Sequence, residues 1–185
     1  VRNMATVGGN LAHADPANDH PATMLAYGAE IVATGPKGER VIPIDKFFTG
    51  PLQTALAHNE ILTEIRVPAH KSGAGGAYFE VERKVGDFAT AAVAAQVMLD
   101  KKGNCEAVGI GLTNAALMPV RASKAEAALK GKKPDDAAIR AAAALAAEAA
   151  DPTGDYRGSV DYKRALVRTL AVRALRKATE RAMGG

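Results

Sequence analysis

The stretch Thr6-Val7-Gly8-Gly9-Asn10-Leu11-Ala12-His13-Ala14-Asp15-Pro16, with Asp19 just beyond it, concentrates groups able to hold a phosphorylated or hydroxyl-rich ligand. Gly8 and Gly9 carry no side chains, so backbone can lie directly against a ligand there. Their N–H groups can form a small anion-binding concavity. Thr6 and Asn10 flank the pair with a hydroxyl and an amide, which bond phosphate oxygens or sugar hydroxyls. Asp19 adds a carboxylate able to accept from a ribose or ribityl hydroxyl. Taken alone, a Gly-Gly pair more often marks a plain turn. The run is neither a Walker loop nor a Rossmann fingerprint.

The other chemistry-bearing residues are dispersed. His13 lies inside the run and either touches the ligand or makes a local loop hydrogen bond. His20, His58 and His70 have no metal-ligand partner nearby and read as surface residues. Cys105 is the only cysteine. A lone cysteine excludes an intrachain disulfide, a Cys-ligated iron–sulfur cluster and a Cys-rich zinc site within this chain, and Cys105 reads as inert. Asp87 reads as the organiser of the turn before Thr90, and Arg83 and Lys84 could face a partner. Lys163, Arg164, Arg168, Arg173, Arg176, Lys177 and Arg181 near the end read as a solvated helix face or a subunit contact. No aromatic stacking platform accompanies them, so nucleic acid is not expected.

Composition sets the frame. A chain of 185 residues that is 48% hydrophobic can build a core, in one medium domain or two small ones. The formal net charge of +4 permits an anionic partner without demanding one. No apolar run reaches the roughly 18 residues of a membrane span, and no secretory signal is visible. With a single cysteine, a reducing cytoplasm is the expected compartment. The opening Val1-Arg2-Asn3 reads as the middle of a domain, so a fragment is expected.

The elements that must position these groups can be read from turns and periodicity. Residues 1–20 read as loop, followed by a short helix from Pro21 to Tyr27 stopped by Gly28. Glu30–Thr34 and Arg40–Pro43 form a hairpin around Gly35–Gly38. Asp45 caps a helical turn containing Phe47 and Phe48. Glu60–Val67 is a strand ended by Pro68. The flexible stretch from His70 to Gly76 is a domain boundary, separating residues 1–68 from 77–183. Three strands follow, Ala77–Glu82, Thr90–Asp100 and Glu106–Leu112, with a hairpin turn at residues 101–104. The last third is helical. Ser123 and Glu126 form a capping box, and Gly131 ends that helix. Asp135 or Asp136 opens an Ala-rich helix, and Ser159 caps the last one, whose buried stripe is Tyr162, Leu166, Leu170 and Ala174 and whose end precedes Gly184.

The run from Arg2-Asn3 through Thr6-Val7-Gly8-Gly9 to Ala14-Asp15-Pro16 resembles the second flavin-binding motif of the molybdenum hydroxylase flavoproteins, the FAD-binding subunits of carbon monoxide dehydrogenase and xanthine dehydrogenase relatives. The resemblance continues in Phe47–Gly50, Glu60–Leu62, Val67-Pro68, Arg83-Lys84, Gly86–Ala89, Pro119, Arg121-Ala122, Ala125-Glu126, Leu129, Gly131, Arg157–Ser159, Tyr162 and Arg164. It keeps family order over essentially the whole chain.

That resemblance implies an α+β fold: the second part of an FAD-binding domain, then a small antiparallel sheet packed with helices. It implies that Thr6, Val7, Gly8, Gly9 and Asn10 line the FAD diphosphate and its neighbours, and that Asp19 holds a cofactor hydroxyl. Leu62, with Ile61 beside it, would approach the flavin ring or its adenine side, and Tyr78 would sit near the isoalloxazine. Catalytic and metal-ligating residues are not expected in this chain. Partner subunits would carry the molybdenum cofactor and two [2Fe–2S] clusters, in a heterohexamer with an iron–sulfur small subunit and a molybdenum large subunit. The Ala-His-Ala-Asp-Pro wording leans toward carbon monoxide dehydrogenase. Two departures stand out. The family's earlier glycine-rich loop would lie upstream of Val1, so this chain alone is expected to bind FAD poorly or not at all. Some relatives place a lysine where Phe79 and Glu80 stand, which bears on flavin tuning and the electron acceptor. A reading of another class is a non-catalytic assembly module with a vestigial flavin motif.

Overall fold

The computed structural model describes residues 3–69 and 71–184. The expectations for Val1, Arg2 and His70 lie outside the described residues. Two short helices open the chain, α1 (Val7–His13) and α2 (Asp19–Tyr27). Strands β1 (Glu30–Gly35), β2 (Gly38–Pro43) and β5 (Ile61–Arg66) form an antiparallel sheet of order β2-β1-β5, and β3 (Phe48–Gly50) pairs with β4 (Gln53–Thr54). A second antiparallel sheet has the order β6 (Ala74–Val81), β7 (Ala91–Leu99), β8 (Cys105–Thr113), β9 (Val120–Arg121). Helices α3 (Ser123–Leu129), α4 (Asp136–Ala149) and α5 (Val160–Gly184) complete an α+β fold.

The β1–β2 hairpin turns where Gly35, Pro36, Lys37 and Gly38 predict it, and Gly38 sits at φ 103°, a conformation that suits glycine. Its core joins Leu11, Leu25, Ile31, Ile44, Phe47 and Phe48, the last two in edge-to-face contact at 5.2 Å. Arg40 closes the sheet's outer side, donating to Glu60 at 2.7 and 2.8 Å and to the Ala55 carbonyl. The Arg40 hydrogen bond, and then the Ala57 N–H, pull the Glu60 carboxyl down to about 2. A depressed folded-state pKa contributes stability that is present above the ordinary value of 4.5 and lost as pH falls toward 2. NMR titration is expected to place the Glu60 midpoint near 2, and Arg40→Gln to return it toward the ordinary range. A Glu60 midpoint near 4 in the parent protein would contradict the clamp.

The second sheet is buried on both faces. Alternate residues Val93, Ala95 and Val97 of β7, with Ile110 and Leu112 of β8, meet Leu129, Ile139, Val167, Leu170 and Leu175 of the three C-terminal helices. The opposite face carries Ala94, Gly109 and Gly111 and receives Ala22 and Ala26 of α2. Leu25 of the same helix points into the first core. Helix α2 thus lies between the two cores, one turn's spacing placing Ala22 and Ala26 on one side.

Several expectations are corrected. Residues 7–13 form α1, and α2 begins at Asp19, so the opening segment is not all loop. Thr6 explains this: its hydroxyl caps Gly9 N–H at 2.9 Å, which offsets part of the cost of two helical glycines. The turn at Ile44–Lys46 is 3-10 and starts after Pro43, while Phe48 already belongs to β3. Strand β6 starts at Ala74, so part of the expected flexible stretch pairs with β7. Ser123 is the first residue of α3, not its cap, and Glu126 accepts from Ile110 N–H and Arg121 instead. Strand β9 was unforeseen. Asp135 and Ser159 do cap, accepting from the Ala138 and Tyr162 N–H groups. In α5 the buried stripe is centred on Val167, Leu170, Ala171, Ala174 and Ala178; Tyr162 is exposed, and Gly184 remains helical. Lys163, expected among the outward cations, is buried.

Candidate functional site

Helix α1 presents the Thr6–Asn10 run. Thr6 is its N-cap, with extended backbone at φ −118° and ψ 156°. Its carbonyl accepts from Asn10 N–H and its hydroxyl oxygen from Gly9 N–H, which leaves the Thr6 O–H free to donate outward. In a helix the first N–H groups have no intrahelical acceptor, so those of Val7 and Gly8 face out of the first turn. The expected loop concavity is therefore a capped helical turn. Gly8 packs against β5: a side-chain carbon on it would lie 3.2 Å from Leu62 Cδ2.

Asn10 carries the most informative atom. Its Oδ1 is buried and has no hydrogen-bond partner among the described residues. A buried acceptor without a donor costs free energy, about 1–3 kcal/mol. Its backbone carbonyl accepts from Asn18 Nδ2 at 3.0 Å, which ties α1 to the start of α2. The next residue, Asp19, accepts from the Tyr78 hydroxyl at 2.9 Å. Tyr78 stands on β6, on the sheet face that receives α2. Burial, followed by the Asp19 charge and the hydrogen bond, pushes its phenol well above the ordinary range. Tyr78 is therefore a neutral donor, and Asp19 keeps its other carboxylate oxygen available.

The structure brings Thr6, Gly8, Gly9, Asn10 and Leu62 into one neighbourhood, and links Asp19 with Tyr78 directly to it through Asn18. Val7 is exposed on the first turn. Ile61 and Leu62 point to opposite faces of β5, and Ile61 is 70% exposed, so this pair divides between packing and open surface. Phe79 packs into the second core, and Glu80 shares the Tyr78 side of β6. Burial, then Asp19 and Glu82, raise the Glu80 carboxyl. His13 is exposed, 3.9 Å from Asp15. Cys105 is buried, and burial raises its thiol, as an inert role requires. Asp87 does organise its turn, accepting from Phe88 N–H, and also pairs with Arg157 at 3.0 Å.

Sequence reasoning missed Asn18 and Thr113. The Thr113 hydroxyl donates to the Asn18 carbonyl across 95 residues, and Asn114 N–H donates to Pro16. These bonds dock the site onto the second sheet. The one available signal was the type of Asn18, a favoured residue just ahead of a helix.

The candidate site is thus a capped helical turn docked on an antiparallel sheet that three helices cover. Residues 1–70 match the family model for the FAD binding domain in molybdopterin dehydrogenase, and residues 76–178 that for the CO dehydrogenase flavoprotein C-terminal domain. The chain belongs to the FAD-binding subunit family of the molybdenum hydroxylases. Within it, the chain is 43% identical over 182 residues to the carbon monoxide dehydrogenase medium chain of Hydrogenophaga pseudoflava, covering 98% of this chain and 63% of that one. The corresponding medium chain of Afipia carboxidovorans is 41% identical over the same coverage. The solved structure of carbon monoxide dehydrogenase from Hydrogenophaga pseudoflava superposes with a TM-score of 0.94 at 45% identity, covering 97% of this chain and 62% of that chain. The chain thus spans less than two thirds of the length of the relatives it matches. Among the described residues no helix is long and apolar enough to cross a membrane.

Proposed function

We propose that this chain holds FAD and passes electrons from partner [2Fe–2S] clusters to an external acceptor, as the flavin-binding part of a carbon monoxide dehydrogenase-like molybdenum hydroxylase. The observation that carries this reading is the buried, unpartnered Asn10 Oδ1, an acceptor that a cofactor hydroxyl would satisfy. Thr6, Val7, Gly8 and Gly9 would meet the diphosphate region with a free hydroxyl and outward N–H groups. Asp19 would accept from a cofactor hydroxyl while Tyr78 holds its other oxygen. Leu62 would lend an apolar wall and Ile61 an open apolar contact. When bound, the flavin supplies the redox chemistry, so the chain needs no acid–base residue of its own.

Residues 1–68 are read as the C-terminal part of the FAD-binding domain and residues 77–183 as the flavoprotein C-terminal domain. The separate cores and the break between the two family matches support that division. The partners would be an iron–sulfur small subunit and a molybdenum large subunit in a cytoplasmic heterohexamer. The names of the relatives support carbon monoxide as the substrate type of the whole enzyme. The test is the double variant Asn10→Ala, Asp19→Ala in the full-length subunit, with flavin released by denaturation and quantified. The expected result is a loss of most bound FAD with the circular dichroism spectrum retained. Unchanged flavin content would sink the assigned site and return the assembly-module reading.

A further inference from the structure

Helix α5 carries seven cationic side chains, and five of them are committed. Lys163 pairs with Asp155, Arg164 with Asp151 and the Ala150 carbonyl, Arg176 with Asp136, Lys177 with Glu180, and Arg181 donates to the Gly76 carbonyl. Arg168 and Arg173 have no partner among the described residues, and both line one groove of about 350 Å³ between α4 and α5. Arg140 and Arg176 line it as well, over a floor of Val172 and Thr169. A merely solvated helix face would leave its unpaired charges pointing in unrelated directions. Here both uncommitted arginines line the same concavity.

The groove already shows its chemistry. Asp136 is gripped by Arg140 at 2.7 Å and by Arg176, and these two, in that order, hold its carboxyl below the usual range. Asp136 thus offsets one of the four arginines that line the groove, which leaves a surplus of three positive charges among these five residues. Arg168 and Arg173 are five residues apart, roughly 7 Å along the helix axis and about 140° around it. They stand on opposite rims and can both reach an anion lying over Val172. A single carboxylate would leave much of that charge uncompensated. A diphosphate brings several charges and enough oxygens for paired guanidinium forks. Thr169 donates to its own helix at the Ala165 carbonyl, so recognition falls to the arginines. No aromatic ring lines the groove, so it offers no stacking platform for a base.

We propose that the α4–α5 groove is a binding site for a diphosphate group, separate from the α1 site and independent of the flavin reading. The probe is inorganic pyrophosphate, titrated calorimetrically at low salt into the full-length protein and its Arg168→Gln, Arg173→Gln double variant. Both positions are exposed, and glutamine is a good helix former, so the fold is expected to be kept. The expected result is saturable binding that weakens by at least about tenfold in the variant, and that fades with added salt. ADP is expected to bind no more than a few-fold differently from pyrophosphate, because the phosphates and not the base are recognised. Absence of pyrophosphate binding, or equal affinity in the variant, would overturn the site. Groove-dependent binding of a hexaglutamate peptide without any for pyrophosphate would also overturn it, in favour of an acidic protein segment.

Discussion

Replacing Gly109 by alanine is expected to cost about 3 kcal/mol, a magnitude at the upper end of overpacking effects. A methyl group built there would lie 1.8 Å from the Ala26 carbonyl oxygen and 2.7 Å from its carbon, so α2 itself must move. Gly111 meets Ala22 in the same way, at 1.9 Å. The sign is informative, because Gly→Ala in a permissive site stabilises by roughly 0.4–1 kcal/mol through the unfolded chain. Gly154→Ala supplies that control: its nearest new neighbour would be 3.8 Å away. Urea unfolding of both variants decides the matter. A Gly109→Ala midpoint no lower than that of Gly154→Ala would contradict the close seating of α2. Because α2 begins at Asp19, its displacement should also break the Tyr78–Asp19 bond, and flavin content should fall with stability.

This seating shows why some of the fold was legible in the sequence and some was not. The β1–β2 hairpin, the turn at residues 101–104 and the start of α4 were readable because their signals are local. Gly38 takes a left-handed conformation, Asp100 ties down the Lys102 and Asn104 N–H groups, and Asp135 caps its own helix. Helix α1 was not readable, because two glycines argue against a helix at about 1 kcal/mol each. What overrides them is the Thr6 cap and the complete burial of Leu11 in the first core. Glu126 looked like half of a capping box. Its true partners, Ile110 N–H and Arg121, come from strands that only the tertiary fold places beside it.

The candidate site divides along the same line. Thr6, Gly8, Gly9 and Asn10 were legible as a contiguous run of ligand-type groups, and resemblance gave them a cofactor. The Tyr78–Asp19 bond spans 59 residues and the Thr113–Asn18 bond spans 95, so no local pattern announces either. Both exist because α2 lies between two cores. The glycines at 109 and 111, which looked like ordinary strand residues, are what let it approach. The site is thus assembled by the same close packing that the Gly109 variant tests.

The second large effect is expected at Asp155, and it turns on a residue whose charge the sequence placed outside. Lys163 is 1% exposed, and its ammonium donates to Asp155 at 2.8 Å and to the Thr153 carbonyl at 3.0 Å. Asp155 also accepts from the N–H groups of Arg157 and Gly158, so it closes the loop that leads into α5. Asp155→Ala leaves a buried ammonium with one neutral partner and is expected to cost about 3 kcal/mol. Lys163→Met keeps the volume and removes the charge that needs a partner, and is expected to cost clearly less. Asp155 is itself exposed, so its truncation removes little packing, and a large loss in that variant reports the buried ammonium left without its carboxylate. Burial acts to raise the Asp155 carboxyl, but the Lys163 bond and the two backbone N–H groups outweigh it and hold it below its ordinary 3.8. A depressed carboxyl contributes stability above that ordinary value and loses it as pH falls through the lowered one. Acid unfolding of the parent should therefore steepen below about pH 4, and Asp155→Ala should flatten that part of the profile. An Asp155→Ala protein as stable as the parent at neutral pH would mean that the Lys163–Asp155 pair contributes nothing to folding, and its role would have to be withdrawn.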